Sequence, residues 1–133
     1  MNIGILGLGL IGGSLGLDLR ACGHHVIGVS RRASTIETAV AIGCVDSSSV
    51  DIDVLGAAEV VFICTPLGLI VPSIEQLITV LPKSTVLTDV GSVKTPIVEA
   101  ASTLWSNFVG GHPMAGTADS GIEAALKNLF VQR

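Results

Sequence analysis

Short apolar runs alternate along this chain with longer segments in which apolar positions recur every three or four residues. NIGIL (2–6) and HVIGVS (25–30) are runs rich in strand formers. Between them, from Leu10 to Cys22, the spacing is helical, and Gly23 stands where a helix ends on a left-handed residue. SRRASTIETAVAIG (30–43) predicts a second helix, with Ser34 or Thr35 as its N-cap and Gly43 closing it. Residues 44–56 read as irregular, apart from a short edge strand at Cys44-Val45-Asp46. EVVFICT (59–65) and STVLTDV (84–90) are near-continuous apolar runs, as in strands covered on both faces. LIVPSIEQLITVL (69–81) reads as a helix with Pro72 in or near its first turn. In TPIVEAASTLW (95–105), Thr95 caps and Pro96 takes the first helical position. FVGG (108–111) is a further short strand and SGIEAALKNLF (120–130) a final helical stretch.

Strand–helix alternation with buried apolar strands predicts an α/β fold: a doubly wound parallel sheet with helices on both faces. With 133 residues, and no linker or repeat in sight, the chain reads as one domain, 1–133. Composition narrows the reading. Hydrophobic residues make up 49% and charged residues 14%, which suits a packed core and argues against disorder. Tyr is absent, so that core is aliphatic. Seven basic and eleven acidic residues give a net charge of −4 with no basic face, which speaks against nucleic acid or an anionic membrane as partner. Cys22, Cys44 and Cys64 are odd in number and form no C-x-x-C pair, so no metal site or disulfide framework is expected. Reduced, mostly buried thiols in a cytoplasmic protein are the simplest reading. The uncharged stretches 3–17 and 60–74 lack the basic lead of a signal peptide and the length of a spanning helix, respectively. The chain reads as soluble.

The chemistry gathers where strands end. Residues 7–12 are GLGLIG, a full G-x-G-x-x-G between a predicted strand and a predicted helix. In that context the pattern is the dinucleotide fingerprint. Gly7 allows the tight turn, Gly9 lets backbone approach a pyrophosphate, and Gly12 lets helix pack on strand. The N–H groups around Leu10 and Ile11 then receive the anion. About 20 residues on, an NAD site usually offers a carboxylate to the ribose. This chain offers Ser30, Arg31 and Arg32 instead. A hydroxyl and two cations suit a 2′-phosphate, so the expected cofactor is NADP. Cys64, Thr65 and Pro66 follow the next strand, beside the expected ribose and nicotinamide, with Cys64 itself a small buried hydrophobe. Asp89 and Ser92 leave the strand after that, Asp89 as a further cofactor-binding candidate and Ser92 either as a donor into the site or as a plain loop serine. Lys94 reads as solvated or structural.

Residues 110–117 are GGHPMAGT. His112 is the only histidine at a strand's carboxyl end; His24 and His25 precede the second strand, on the opposite edge. Pro113 biases His112 toward extended backbone, and the glycines around it leave room for a ligand. An imidazole facing a nicotinamide is a natural general base, taking a hydroxyl proton while hydride leaves the same carbon.

Taken together, GLGLIGGSL (7–15), VSRR (29–32), CTP (64–66), DVGSVK (89–94), GGHPMAGT (110–117) and LF (129–130) resemble the prephenate/arogenate dehydrogenases of tyrosine biosynthesis, most of all the cyanobacterial arogenate dehydrogenases that use NADP. The likeness runs in order along essentially the whole chain. It implies an oxidative decarboxylation in which His112 takes the proton of the ring hydroxyl and Ser92 orients histidine, hydroxyl and nicotinamide. Such enzymes carry a second, all-helical domain that forms a homodimer and grips the substrate carboxylates with an arginine. The present chain has only Arg20, Arg31, Arg32, Lys83, Lys94, Lys127 and Arg133 as cations, with two assigned to phosphate. It is therefore expected to be the cofactor-binding half, a fragment or a truncated product, with little turnover alone. Two other readings stand beside this one. The chain is a non-catalytic NADP-binding module, or an NADP-dependent enzyme of the β-hydroxyacid dehydrogenase or pyrroline-carboxylate reductase kind. GGHPMAGT speaks against the latter.

Overall fold

The computed structural model describes residues 1–90 and 95–110, without the side chains of Leu67 and of residues 95–98. Six parallel strands form one sheet: β1 (Asn2–Leu6), β2 (His25–Val29), β3 (Ser47–Ser49), β4 (Val60–Ile63), β5 (Val86–Asp89) and β6 (Phe108–Val109). Their spatial order is β3-β2-β1-β4-β5-β6. Chain order reverses between β1 and β4, which makes their carboxyl ends the switch point of a doubly wound sheet. The helices are α1 (Leu10–Ala21), α2 (Ala33–Ile42), α3 (Ile70–Leu77) and α4 (Thr95–Leu104).

Alternation along the strands builds a core on each face. In β1, Ile5 joins the cluster of Val26, Ala39, Cys44 and Val45, against which Leu15 and Leu19 of α1 pack. Leu6, next to it, joins the larger cluster with Ile27, Val29, Val61, Ile63 and Leu87, covered by Ile70, Ile74, Leu77 and Ala101 from α3 and α4. A side-chain period of two thus sends neighbouring residues to opposite helical layers. The aliphatic expectation holds, with one aromatic exception: Trp105 is 8% exposed. Its indole N–H donates to the Thr85 carbonyl at 2.8 Å, so the ring is buried without an orphaned donor.

Two helix ends are set as the glycines predict. Gly23 and Gly43 have φ of +90° and +85°. The Gly23 and His24 N–H groups reach back to the Arg20 and Leu19 carbonyls, and those of Gly43 and Cys44 to Val40 and Ala39. This is the same six-to-one and five-to-two closure at both ends.

Other expectations are corrected. The edge strand lies at Ser47–Ser49, not at Cys44-Val45-Asp46. Cys44 and Val45 are buried beneath the helices, and of the three residues only Asp46 bonds to β2, its N–H donating to the Val26 carbonyl. Helix α2 begins at Ala33, so Ser34 and Thr35 sit inside its first turn and Arg32 is the cap residue, with no side-chain cap bond. Residues 52–57 form a 3₁₀ helix rather than irregular chain, capped by the Asp51 carboxylate accepting from the Asp53 N–H. Helix α4 includes Thr95, which moves Pro96 to the second position. Of the cysteines, Cys44 is buried, Cys64 partly buried and Cys22 exposed. The stretch 120–130 lies outside the described residues. No described helix is long and apolar enough to cross a membrane.

A polar clamp that no local pattern announces ties α1 to β2 at the amino ends of the strands. Arg20 donates to the Gly43 carbonyl at 2.9 Å and pairs with Asp46 at 3.1 Å. Asp46 also accepts from the Val26 N–H at 2.8 Å and stands 3.8 Å from the His25 ring. The Val26 amide, then Arg20, hold the Asp46 carboxyl below the usual carboxylate value of 3.8. A depressed carboxylate stabilises the fold above its unfolded pKa, and the contribution fades as pH falls toward the folded value. Asp46→Asn is expected to lower Tm at pH 7 by about 5 °C. In thermal melts the gap to the unsubstituted chain closes below pH 3.8. A gap that persists unchanged in acid means the ion pair contributes nothing.

Candidate functional site

The loop from β1 into α1 is built on backbone proximity. Gly7 has φ +99°, and a Cβ there would lie 2.8 Å from the Cys64 carbonyl oxygen and 3.0 Å from the Thr65 nitrogen. The turn is therefore pressed against the exit of β4, and both conformation and space exclude a side chain. Its amide donates to the Val29 carbonyl at 2.9 Å, while the Cys64 amide donates to Leu6 at 2.7 Å. Three strand ends are thereby laced to one turn. A Cβ on Gly12 would fall inside contact distance of the Gly7 oxygen, so helix and turn also touch backbone to backbone.

Gly9 differs: among the described residues nothing lies within 4 Å of where its Cβ would be. No described atom explains glycine there, and the space in front of it is open among them. Gly9 caps α1 without a side-chain hydrogen bond, and the first turn carries no acidic residue. The amides of Leu10, Ile11 and Gly12 thus begin a helix with no internal anion to answer them. The arrangement suits a bound diphosphate.

At the end of β2, the Ser30 amide donates to Ser49 of β3 at 3.2 Å, and the Ser30 Oγ accepts from the Arg32 amide at 3.3 Å. Arg31 and Arg32 are both exposed. Among the described residues neither guanidinium has an ion-pair or hydrogen-bond partner. Two such cations at the start of α2 oppose its dipole, a cost an anionic ligand would offset.

At the end of β4, the Thr65 Oγ1 is buried and has no hydrogen-bond partner among the described residues. A buried hydroxyl of this kind beside the glycine turn fits a ligand-facing position. The Ser48 Oγ shares this property, but it lies within β3 beside Gly28. Burial, with the Asp89 charge adding to it, pushes the Cys64 thiol up to about 12, so Cys64 stays a neutral thiol as its hydrophobe role requires. Pro66 is exposed just beyond it. Asp89 ends β5 in register with Ile63 and is 1% exposed.

The structure thus brings Gly7, Gly9, Leu10, Ile11, Gly12, Cys64, Thr65 and Pro66 to one place at the switch point. Ser30, Arg31 and Arg32 end the neighbouring strand on one side and Asp89 ends β5 on the other. Ser92, Lys94 and His112 lie outside the described residues. Strands β5 and β6, which precede them, both point toward the same carboxyl edge. His24 and His25 sit at the opposite edge, His25 exposed and His24 half-buried. No group of three or more described His, Cys, Asp or Glu residues is placed to hold a metal ion.

One structural glycine was overlooked. Gly16 lies one turn beyond Gly12, and a Cβ there would strike the Cys44 carbonyl. The four-residue spacing of two glycines inside α1 was the available signal, because it puts both on one face.

A family model for the prephenate dehydrogenase nucleotide-binding domain matches residues 15–133. The prephenate dehydrogenase of Lactococcus lactis subsp. cremoris (strain MG1363) is 35% identical over 133 residues, 95% of this chain and 37% of that protein. The crystal structure of Synechocystis arogenate dehydrogenase superposes with TM-score 0.96 at 55% identity, over 98% of this chain and 47% of that one. Prephenate dehydrogenase from A. aeolicus, in complex with hydroxyphenyl propionate and NAD+, gives 0.92 at 32%, over 98% and 47%. The chain spans less than half the length of each of these relatives.

The two glycines make the site testable without substrate. Gly12→Ala is expected to cost about 2 kcal/mol or more, because backbone must move to admit the methyl. Gly9→Ala should leave the melting temperature nearly unchanged while weakening dinucleotide binding about tenfold or more, because its methyl enters only the open space. Thermal melts and a binding titration read both. Equal destabilisation by the two substitutions would mean that Gly9 serves the fold and not a ligand.

Proposed function

Because this chain belongs to the prephenate dehydrogenase family, we propose that it is the NADP-binding half of a cytoplasmic dehydrogenase that oxidatively decarboxylates arogenate or prephenate. The observation that carries the reading is the turn at Gly7–Gly12, set against β4 with open space before Gly9 and helix amides behind it. The 55% identity to an arogenate dehydrogenase favours arogenate over prephenate. In this reading residues 1–133 are one nucleotide-binding domain, and a full-length form is a homodimer.

The described residues fit a nicotinamide dinucleotide. The Leu10, Ile11 and Gly12 amides hold its pyrophosphate. Ser30, Arg31 and Arg32 hold a 2′-phosphate, with two cations, unpaired among the described residues, where an NAD site would carry an acid. The Thr65 hydroxyl, unanswered among the described residues, and Pro66 line the nicotinamide side. When bound, the cofactor supplies the hydride acceptor.

The remaining chemistry belongs to the other strand exits. His112 accepts the proton of the substrate's ring hydroxyl as the carbon bearing it gives up hydride. Ser92 orients His112 and that hydroxyl. The ring carboxylate leaves as CO2, and the ring becomes aromatic, giving tyrosine from arogenate or 4-hydroxyphenylpyruvate from prephenate. The exposed Arg31 and Arg32 are committed to phosphate and Arg20 to Asp46. Few cations remain for a dicarboxylate substrate, so its grip comes from outside this half.

In calorimetric titrations this chain should bind NADP at least about tenfold more tightly than NAD, and Arg31→Asp should erase the preference by weakening NADP alone. Equal affinities for the two cofactors in the unsubstituted chain would remove the 2′-phosphate assignment. The chain alone is expected to yield little or no NADPH with either substrate. A full-length form should do so, and should lose about a hundredfold or more in kcat on His112→Asn with cofactor affinity retained. Ordinary turnover by the 133-residue chain would show that the substrate grip lies within it.

A further inference from the structure

Asp89 is a buried carboxyl group that the proposed reaction does not use. It ends β5, 1% exposed, directly beside Ile63 of β4. The next residue after Ile63 is Cys64, whose backbone is packed on Gly7, and the one after that is Thr65 with its unanswered hydroxyl. Asp89 therefore stands two strands over from β1, whose exit carries the turn that receives the dinucleotide, with only β4 between, on the side away from Ser30, Arg31 and Arg32. A dinucleotide whose 2′-phosphate lies at those arginines extends its nicotinamide end toward β4 and β5. A carboxylate in that low-dielectric setting acts over a longer distance than one in water.

We propose that Asp89 is a selectivity residue for the redox state of the cofactor, favouring the positively charged oxidised nicotinamide over the neutral reduced ring. This rests on the dinucleotide reading of the site. Oxidised and reduced cofactor share every phosphate, so phosphate contacts cannot tell them apart. They differ at the ring, which loses its positive charge on reduction, and a fixed charge near the ring acts on that difference directly. Asp89's negative field already reaches the β4 exit, where it adds to the burial that raises the Cys64 thiol. The consequence is a site that takes up the oxidised form in the presence of the reduced one, and lets the reduced one go after hydride transfer. The same field makes hydride acceptance less favourable, a cost that loss of CO2 and aromatisation offset.

The test is a pair of titrations, NADP+ and NADPH, on this chain. The unsubstituted chain is expected to bind NADP+ about five- to thirtyfold more tightly than NADPH, the range for one charge pair acting through a partly buried path. Raising salt should weaken both forms together, through the exposed phosphate contacts, and leave their ratio in place. Asp89→Asn keeps the shape and removes the charge, and should bring the two affinities within about twofold of each other by weakening NADP+ alone. A purely structural Asp89 would shift both forms equally, and that result overturns the proposal. Tighter binding of NADPH by the unsubstituted chain overturns it as well, and decides the matter even if Asp89→Asn does not fold. Binding of both forms without preference removes the role of Asp89 and leaves the cofactor site standing. Binding of neither removes both.

Discussion

The architecture depends on how closely one backbone turn approaches a neighbouring strand. Gly7, at φ +99°, lies against the Cys64 carbonyl and Thr65 amide with no room for a methyl group. That contact fixes the height at which β1 hands over to α1, and so the direction of the helix axis. Gly12 then lets α1 lie on the turn, and Gly16 lets it lie on the Cys44 carbonyl. With the helix held by backbone at both points, its amino end stops at the switch between β1 and β4, where its free amides face outward. A side chain at any of these contacts would push the helix away from the sheet and the amides away from the ligand.

The rest of the sheet distributes charge around that point. To one side, the end of β2 offers a hydroxyl and two guanidinium groups that are unpaired among the described residues; to the other, the end of β5 keeps a buried carboxyl. A dinucleotide laid across the edge would meet cations at its phosphate end and a negative group at its ring end. The opposite edge of the sheet is occupied by the Arg20–Asp46 clamp, which holds α1 to β2 and leaves the carboxyl edge to the ligand. Stability and binding are thereby assigned to different ends of the same strands.

Much of this was legible in the sequence, for identifiable reasons. Strands β1 and β4 are largely apolar runs, and β5 is apolar until Thr88 and Asp89; β1 is buried on both faces, while β4 and β5 alternate buried and half-buried positions. The glycine turn was readable because its spacing carries a geometric demand that few other structures make. The edge strand was misplaced because Cys44 and Val45 look like strand residues by composition. They are buried by α1 and α2 instead, while three serines, poor in strand signal, take the pairing with β2. The start of α2 was misplaced because Ser34 and Thr35 are favoured caps, whereas the chain begins the helix at Ala33 on an extended Arg32. The clamp at Asp46 joins residues 20 to 26 positions apart, and nothing local announces it. The same holds for the unanswered hydroxyl of Thr65, since burial and missing partners are properties of the folded packing. Within the candidate site, the residues that sequence placed at strand ends lie at strand ends wherever the structure describes them.

The most direct measurement is a crystal structure of this chain grown with NADP+. The pyrophosphate oxygens are expected about 2.7–3.2 Å from the amides of Leu10 and Ile11. The 2′-phosphate should lie between the side chains of Arg31 and Arg32, and the nicotinamide between the exits of β4 and β5. A dinucleotide bound away from the Gly7–Gly12 turn, or with its 2′-phosphate remote from both arginines, would contradict the assignment of this edge as the cofactor site.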